Sequence, residues 1–195
     1  SLKRLGTDYV DVYIAHRDDR NTPLEETLQA LDAIVRAGKA RYLGVSNWPA
    51  WKVAAAMELQ RANGWAPFTH AQMLYSLMHR DIEEEFLPMA RRYGLGITPW
   101  SPLGGGFLTG KETRENARGA GEREGRRDDI PLDKEMGFRL IDVMRGIADG
   151  HGVSIAQIAL AWLLSKDQVS SILLGATRMH QLDDNLAAVN VKVGE

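Results

Sequence analysis

The sequence contains no cysteine among its 195 residues. This absence excludes disulfide bonds, thiol nucleophiles and zinc sites built on thiolate ligands. Long apolar runs are missing too, and no stretch is long enough to cross a bilayer as a helix. The first residues, Ser-Leu-Lys-Arg-Leu-Gly, do not read as a signal peptide, so a cytoplasmic location is expected.

Neither sign of charge dominates the chain. Its 24 Lys and Arg residues nearly balance its 26 Asp and Glu residues, and the formal net charge is −2. Without a basic excess, we expect neither nucleic-acid binding nor membrane insertion. What the sequence does contain is an ordinary globular balance of 44% apolar and 26% charged residues. That share of apolar side chains is enough for a sizeable core.

Short β-rich segments alternate with helical segments along the chain. The predicted strands cover residues 9–15, 40–45, 68–74, 95–100 and 169–174. The predicted helices cover residues 22–35, 49–63, 81–93, 134–150, 154–165 and 178–188. Thr22 with Glu25, and Ser154 with Gln157, have the spacing of helix-capping boxes. Strands separated by helices favour a parallel α/β sheet.

Residues 104–133 interrupt this alternation. The stretch is rich in Gly, Arg, Glu and Asp and poor in apolar residues, so we predict a long mobile loop. Its arginines are Arg114, Arg118, Arg123, Arg126 and Arg127. Because acidic residues are interspersed, a solvated loop of mixed charge is the default interpretation. The more specific alternative is that one of these arginines closes over a bound phosphate.

Polar side chains follow the predicted strands, at the sheet edge where parallel α/β folds bind ligands. His16 follows the first strand and could polarise a carbonyl, although a loop histidine with a satisfied hydrogen bond is the alternative. Ser46, Asn47 and Gln72 could fix a planar amide by paired hydrogen bonds. Turn formation is the competing explanation for Ser46 and Asn47.

Two further strand ends could contact a nucleotide. Trp100 could stack on a flat ring or be an ordinary core aromatic. The glycine run beginning at Gly104 would allow close approach to a phosphate, but it lacks the spaced-glycine pattern of dinucleotide-binding folds. Gly175, Thr177 and Arg178 lead directly into a helix, whose amino end favours an anion. Simple capping by Thr177 is the alternative there.

Five segments, taken in order, resemble the aldo-keto reductase superfamily. They are SLKRLGTDYVDVYIAHR, TPLEETLQALDAIVRAGKARYLGVSNW, QMLYSL, ITPWSPLGGGFLTGK and SSILLGATRMHQLDDNL. The WSPLGGG and SSILLGA variants resemble the branch that includes the β-subunits of voltage-gated potassium channels. The resemblance implies one domain over residues 1–195 from a (β/α)8 TIM barrel, with strands four to eight of that barrel present as five β/α units. It is weakest at residues 112–133.

The resemblance implies an oxidoreductase that uses NADPH to reduce aldehyde or ketone carbonyls of small molecules to alcohols. His16 would orient the carbonyl; Ser46, Asn47 and Gln72 would bind the nicotinamide carboxamide; and Trp100 would stack on the ring. Ser101, Pro102, Leu103, Gly104 and Lys111 would contact the pyrophosphate side. Gly175, Thr177, Arg178, Gln181 and Asn185 would form the adenosine end, with Asp184 as a further candidate. Arg178 favours NADPH over NADH, and no metal site is expected.

The sequence departs from the family pattern at its beginning. The family's catalytic aspartate, tyrosine and lysine lie upstream of the position that matches residue 1. We therefore expect an N-terminally truncated chain that is weakly active or inactive alone. Five strands cannot close an eight-stranded barrel, and exposed sheet edges invite self-association.

Two other functions remain as hypotheses. One is a non-catalytic NADPH-binding regulatory subunit like the potassium-channel β-subunits, in which asparagine occupies the position matching His16. The other is an unrelated phosphate-binding β/α barrel. That last hypothesis does not account for Ser46, Asn47, Gln72 and Trp100 together.

Overall fold

The computed structural model describes residues 1–114 and 133–194, which fall into two compact units. The first unit consists of Ser1–Met73 with Ile82–Thr98, and the second of Leu74–Asp81 with Pro99–Glu195. Much of the predicted mobile loop, residues 115–132, lies outside the described residues. Four of its arginines therefore lie outside as well: Arg118, Arg123, Arg126 and Arg127.

A four-stranded sheet with strand order β1-β2-β3-β4 confirms the predicted α/β class. The strands are β1 (Val10–Ala15), β2 (Ala40–Ser46), β3 (Phe68–Leu74) and β4 (Gly96–Trp100). β1 pairs with β2, and β2 with β3, in parallel. Parallel neighbours need a crossover between them, and helices make those crossovers along the chain. The arrangement is that of a partial (β/α)8 fold.

Seven α-helices occur in the described residues. They are α1 (Leu2–Leu5), α2 (Leu24–Arg36), α3 (Ala50–Asn63), α4 (Phe86–Tyr93), α5 (Lys134–His151), α6 (Ile155–Leu164) and α7 (Met179–Ala187). Gly64 and Gly94 end α3 and α4 in the left-handed conformation, with φ of 65° and 70°. Glycine adopts this conformation at little steric cost, which is why both helices end where the sequence predicts.

The predicted fifth strand, residues 169–174, is wrong. Residues 170–174 have no regular secondary structure, and Leu173 donates one backbone hydrogen bond of 3.0 Å to the carbonyl of Pro99 in β4. Pro99 has no N–H group to donate in return, so one hydrogen bond of a regular ladder is missing at this position.

The predicted helix over residues 81–93 is divided. Asp81–Glu83 forms a 3₁₀ turn, and α4 begins only at Phe86. Pro88 explains the break, because its ring would clash with the carbonyl of residue 84 if the helix continued upstream. With α4 beginning at Phe86, Pro88 lies in the first turn, where proline is tolerated.

The two predicted capping boxes have different outcomes. Ser154 and Gln157 form the reciprocal pair at the start of α6, as predicted. Thr22 does not cap α2, because its hydroxyl donates to Asp19 over 2.7 Å and Pro23 occupies the capping position. Asp19 competes successfully for Thr22 because it lies three residues away, within the same turn.

Each unit has its own hydrophobic core. The first is built around Leu28, Leu43, Val45, Phe68 and Ile97. The second is built around Phe107, Leu108, Phe138, Ile141 and Ile158. Among residues 1–114 and 133–194, no single helix is long and apolar enough to cross a membrane; α5 and α6 reach that length only as a pair bent by 92°.

Candidate functional site

Three of the predicted nicotinamide-binding residues meet at the ends of β2 and β3. Ser46 and Gln72 are register partners in the parallel sheet. The backbone N–H of Asn47 donates to the carbonyl of Gln72 over 3.3 Å, and its side-chain Nδ2 donates to Ser46 Oγ over 2.9 Å. His16 follows β1, whose last residue Ala15 is the partner of Val45. The sheet register therefore holds hydroxyl and amide groups together in the first unit.

Two residues other than glycine have a positive φ in the part of the chain that the structure describes. They are Asn47 at 56° and Ser101 at 54°. This left-handed conformation is sterically unfavourable for most side chains, and such residues often lie at functional sites. Both belong to the predicted nucleotide-binding set. Each lies immediately beyond a strand, Asn47 after β2 and Ser101 after β4.

The loop that follows His16 is held by an ion pair that sequence reasoning missed. Lys52 Nζ, in the first turn of α3, contacts the Asp18 carboxylate, and the two side chains are only 11% and 14% exposed. Hydrogen bonds from the Thr22 hydroxyl and the Asn21 amide lower the pKa of the neighbouring Asp19. The sequence gives no sign of this ion pair, because Lys52 is 34 residues from Asp18 and no motif marks it.

A cavity of about 850 Å³ lies in the second unit. Nine residues predicted to bind the cofactor line it: Trp100, Ser101, Pro102, Leu103, Lys111, Gly175, Thr177, Gln181 and Asn185. Gly104 and Arg178 are not among the lining residues; Gly104 is buried, and Arg178 is the N-cap residue of α7. His16, Ser46, Asn47 and Gln72 belong to the first unit and do not line this cavity.

The glycine loop on one side of the cavity turns tightly. Gly104 donates its N–H to the carbonyl of Ser101 over 2.9 Å, and Gly105 donates to Ser101 Oγ over 3.0 Å. Gly105 and Gly106 have φ of 64° and 99°. Residues with side chains rarely adopt these angles, so the loop depends on glycine for its path. The same glycines bring backbone to the cavity wall with no side chain in between.

At the start of α7, Thr177 and Gln181 form a local motif that also lines the cavity. The Thr177 N–H and hydroxyl both donate to Gln181 Oε1, over 3.0 and 3.2 Å. A backbone N–H can only donate, so this pair fixes which end of the Gln181 amide faces Thr177. Its Nε2 is thereby the end turned away from Thr177. Gln181 can accordingly offer N–H donors to a ligand.

Sequence reasoning missed several cavity residues, including Thr109, Ser154 and His180. Asp184, named only as a further candidate, also lines the cavity. Within residues 1–114 and 133–194, no cluster of three His, Asp or Glu side chains could hold a metal ion. Hydroxyls, amides, one lysine, backbone groups and Trp100 are suited to a polar ligand with a flat ring and anionic groups.

The chain matches the model of the aldo/keto reductase family over residues 1–194. A probable voltage-gated potassium channel subunit beta from Oryza sativa subsp. japonica is 40% identical, over 98% of this chain and 60% of its own length. Probable aldo-keto reductase 1 from Glycine max is 38% identical, over 100% of this chain and 54% of its own length. The putative aryl-alcohol dehydrogenase AAD14 from Saccharomyces cerevisiae is 34% identical, over 99% of this chain and 52% of its own length.

The chain thus spans between 52% and 60% of the length of these three curated relatives. The family match covers nearly every residue, and the relatives exceed 30% identity over the same range. On this basis, the chain belongs to the aldo/keto reductase family.

Proposed function

We propose that the protein is an oxidoreductase that reduces an aldehyde or ketone to an alcohol with NADPH. One observation carries the proposal: nine residues selected from the sequence as nucleotide ligands line a single cavity. The cavity volume of about 850 Å³ lies within the usual range for ligand sites. Oxidoreductases among the relatives support the reaction class.

The second unit fits the phosphate and adenosine parts of the cofactor. Lys111 offers a positive charge, and the glycine loop leaves the backbone open to close approach because no side chain intervenes; both features suit a pyrophosphate. Gln181 and Asn185 offer amides to the adenosine end. Arg178, at the amino end of α7, favours the additional phosphate of NADPH over NADH.

The first unit fits the nicotinamide end. A primary carboxamide both donates and accepts hydrogen bonds, and the Ser46 hydroxyl with the Asn47 and Gln72 amides provides partners of both kinds. The Asn47–Ser46 hydrogen bond holds these groups in place before a ligand arrives. When bound, NADPH supplies the hydride. His16 would donate a hydrogen bond to the substrate oxygen and so polarise the carbonyl.

A regulatory role is the second candidate, and the 40% identical channel subunit favours it. The same residues would then bind NADPH without rapid turnover. The resemblance places asparagine at the position of His16 in channel β-subunits. His16 therefore separates the two candidates and tilts the choice towards the enzyme.

The His16→Asn variant tests the catalytic role in the full-length protein. We expect kcat for carbonyl reduction to fall by at least about 100-fold, because a positioned acid or hydrogen-bond donor contributes at least that much. The Kd for NADPH should stay within about twofold, because His16 contacts the substrate and not the cofactor. His151→Asn, at the exposed end of α5, is the matched control.

Unchanged turnover in the His16→Asn variant would remove His16 from the reaction and favour the regulatory candidate. The 195-residue chain by itself should reduce carbonyls little or not at all, since by resemblance the proton-donating tyrosine is not within it. A rate equal to that of full-length relatives would contradict that expectation.

A further inference from the structure

A hydrogen-bond network joins the amino end of α6 to α7, across about 30 residues of sequence. Ser154 Oγ donates to Asp184 Oδ2 over 2.9 Å. Gln157 Nε2 donates both to Asp184 Oδ1, over 3.0 Å, and to the Asp184 carbonyl, over 2.9 Å. All three side chains belong to the second unit, and Ser154 and Asp184 line its cavity.

The donor and acceptor groups of the three residues fix the direction of each hydrogen bond in this network. Gln157 Oε1 accepts the Ser154 N–H, and the Ser154 hydroxyl accepts the Gln157 N–H, as part of the capping box. That pairing turns Nε2 of Gln157 towards α7. Only hydrogen-bond donors face Asp184 in this network, and its carboxylate oxygens can accept from all of them. A negative charge is also favourable at the amino end of α6.

Little of α7 itself is buried. Asn185 is the only buried residue in the helix, while Met179 and Leu186 are 70% and 52% exposed. A helix of nine residues with so little buried surface is not stable by itself. Gln181, Asp184 and Asn185 are spaced to share one face of α7. Whatever holds Asp184 therefore also sets the position of Gln181 and Asn185 in the cavity.

We propose that Asp184 is a positioning residue, which clamps α7 to the capping box of α6 and so places Gln181 and Asn185 against the adenosine part of the cofactor. The clamp extends the family-based expectation, in which Asp184 was a candidate for direct contact with adenosine. The nucleotide part of this inference rests on the proposed function. The clamp itself concerns only the described residues.

A paired substitution tests the clamp. Gln157→Glu keeps the capping box, because glutamate accepts the Ser154 N–H equally well. It places a carboxylate against the carboxylate of Asp184. Adding Asp184→Asn restores the side-chain contact, because the new amide can donate to the introduced carboxylate and accept from Ser154, although the backbone carbonyl of residue 184 still loses the Gln157 donor. Asp183→Asn, on an exposed neighbour, removes the same charge without touching the network.

The ligand readout compares NADPH, 2′,5′-ADP and reduced nicotinamide mononucleotide as probes. Gln157→Glu should weaken NADPH and 2′,5′-ADP by about 10-fold, the effect of losing one or two hydrogen bonds to a charged group. The double variant should return to within about threefold of wild type, and Asp183→Asn should stay within about twofold. The mononucleotide should be unaffected, because none of the proposed ligands of the nicotinamide, Ser46, Asn47, Gln72 and Trp100, lies on α7.

Amide hydrogen exchange of α7 without any nucleotide gives an independent readout. Gln157→Glu should speed exchange across Met179–Ala187, and the double variant should slow it again. Exchange at wild-type rates in Gln157→Glu would overturn the clamp. Equal weakening of all three probes, or no recovery in the double variant, would assign the effect to general loss of folding and also overturn it. If wild type binds no probe, the proposed function fails, and the exchange result still decides the clamp.

Discussion

At the scale of single residues, Gly44 and His70 pack tightly in the sheet near the predicted carboxamide site. They are register partners, two steps before the Ser46–Gln72 pair. A Cβ atom on Gly44 would lie 2.6 Å from Cε1 and Nε2 of His70, so only glycine leaves room for the ring. Burial lowers the pKa of His70 below its usual value of 6.5. The folded chain therefore favours the neutral imidazole.

The lowered pKa makes stability depend on pH in a defined direction. Since the unfolded chain binds the His70 proton more readily, the free energy of unfolding should fall as pH drops through 6.5 towards the folded-state pKa. Above pH 6.5 the contribution of the neutral His70 ring to the free energy of unfolding is fully present. Urea unfolding from about pH 7.5 to about pH 5 measures this slope, and His70→Gln should flatten it. His151→Gln is the exposed control; an equally steep slope in His70→Gln would contradict the assignment.

At the scale of elements, two polar side chains fix the connection from α3 to β3. Gln60 is fully buried; its Nε2 donates to the Ala66 carbonyl over 2.8 Å, and its Oε1 accepts the Phe68 N–H over 3.3 Å. Asp32 accepts the Ala66 N–H over 2.9 Å. That amide hydrogen bond is the main cause of the lowered pKa of Asp32. β3 thus begins at Phe68 because its first backbone groups are already held.

Replacing Gln60 with leucine should be costly although the new side chain is apolar and similar in size. Two backbone groups would lose their buried partners, which should lower the free energy of unfolding by about 2–4 kcal/mol. Gln29→Leu, on the exposed face of α2, is the matched control and should change it by less than about 0.5 kcal/mol. Chemical denaturation of both variants makes the comparison. Equal effects would mean that the Gln60 hydrogen bonds do not stabilise the connection.

Local sequence patterns predict the elements whose causes are local. The bounds of β3 and the ends of α3 and α4 follow from β-rich content and from Gly64 and Gly94. The fifth strand could not be judged in this way, because it depended on Pro99, a distant partner that has no N–H to donate. The division of residues 81–93 was readable in principle from Pro88, whose ring limits how far a helix extends towards its amino end.

The features of the candidate site also separate into those with local causes, which the sequence predicts, and those that depend on distant partners. Residues that follow a strand, such as Asn47 and Ser101, could be selected because the chain order places them at a ligand-binding edge. Sequence patterns could not reveal the Lys52–Asp18 ion pair, nor the contacts of Asp184 with Ser154 and Gln157. Their partners are 27 to 34 residues apart and carry no shared motif. Only the folded chain brings them together.

At the scale of the whole molecule, each unit carries its own part of the predicted cofactor set. The carboxamide group of residues lies in the first unit, and the pyrophosphate and adenosine residues lie in the second. The family match runs through both units. Binding of the whole cofactor therefore tests the assignments in both units at once.

The most direct test of the account is an NADPH titration of this chain, followed by quenching of tryptophan fluorescence. We predict saturable quenching, with a Kd that rises by about 10-fold in Trp100→Ala because ring stacking is lost. Trp51→Ala, whose side chain is 69% exposed and lies outside the cavity, should leave the Kd unchanged. Absence of saturable quenching in a chain that unfolds cooperatively, or equal Kd values for wild type and Trp100→Ala, would contradict the assignment of this cavity to NADPH.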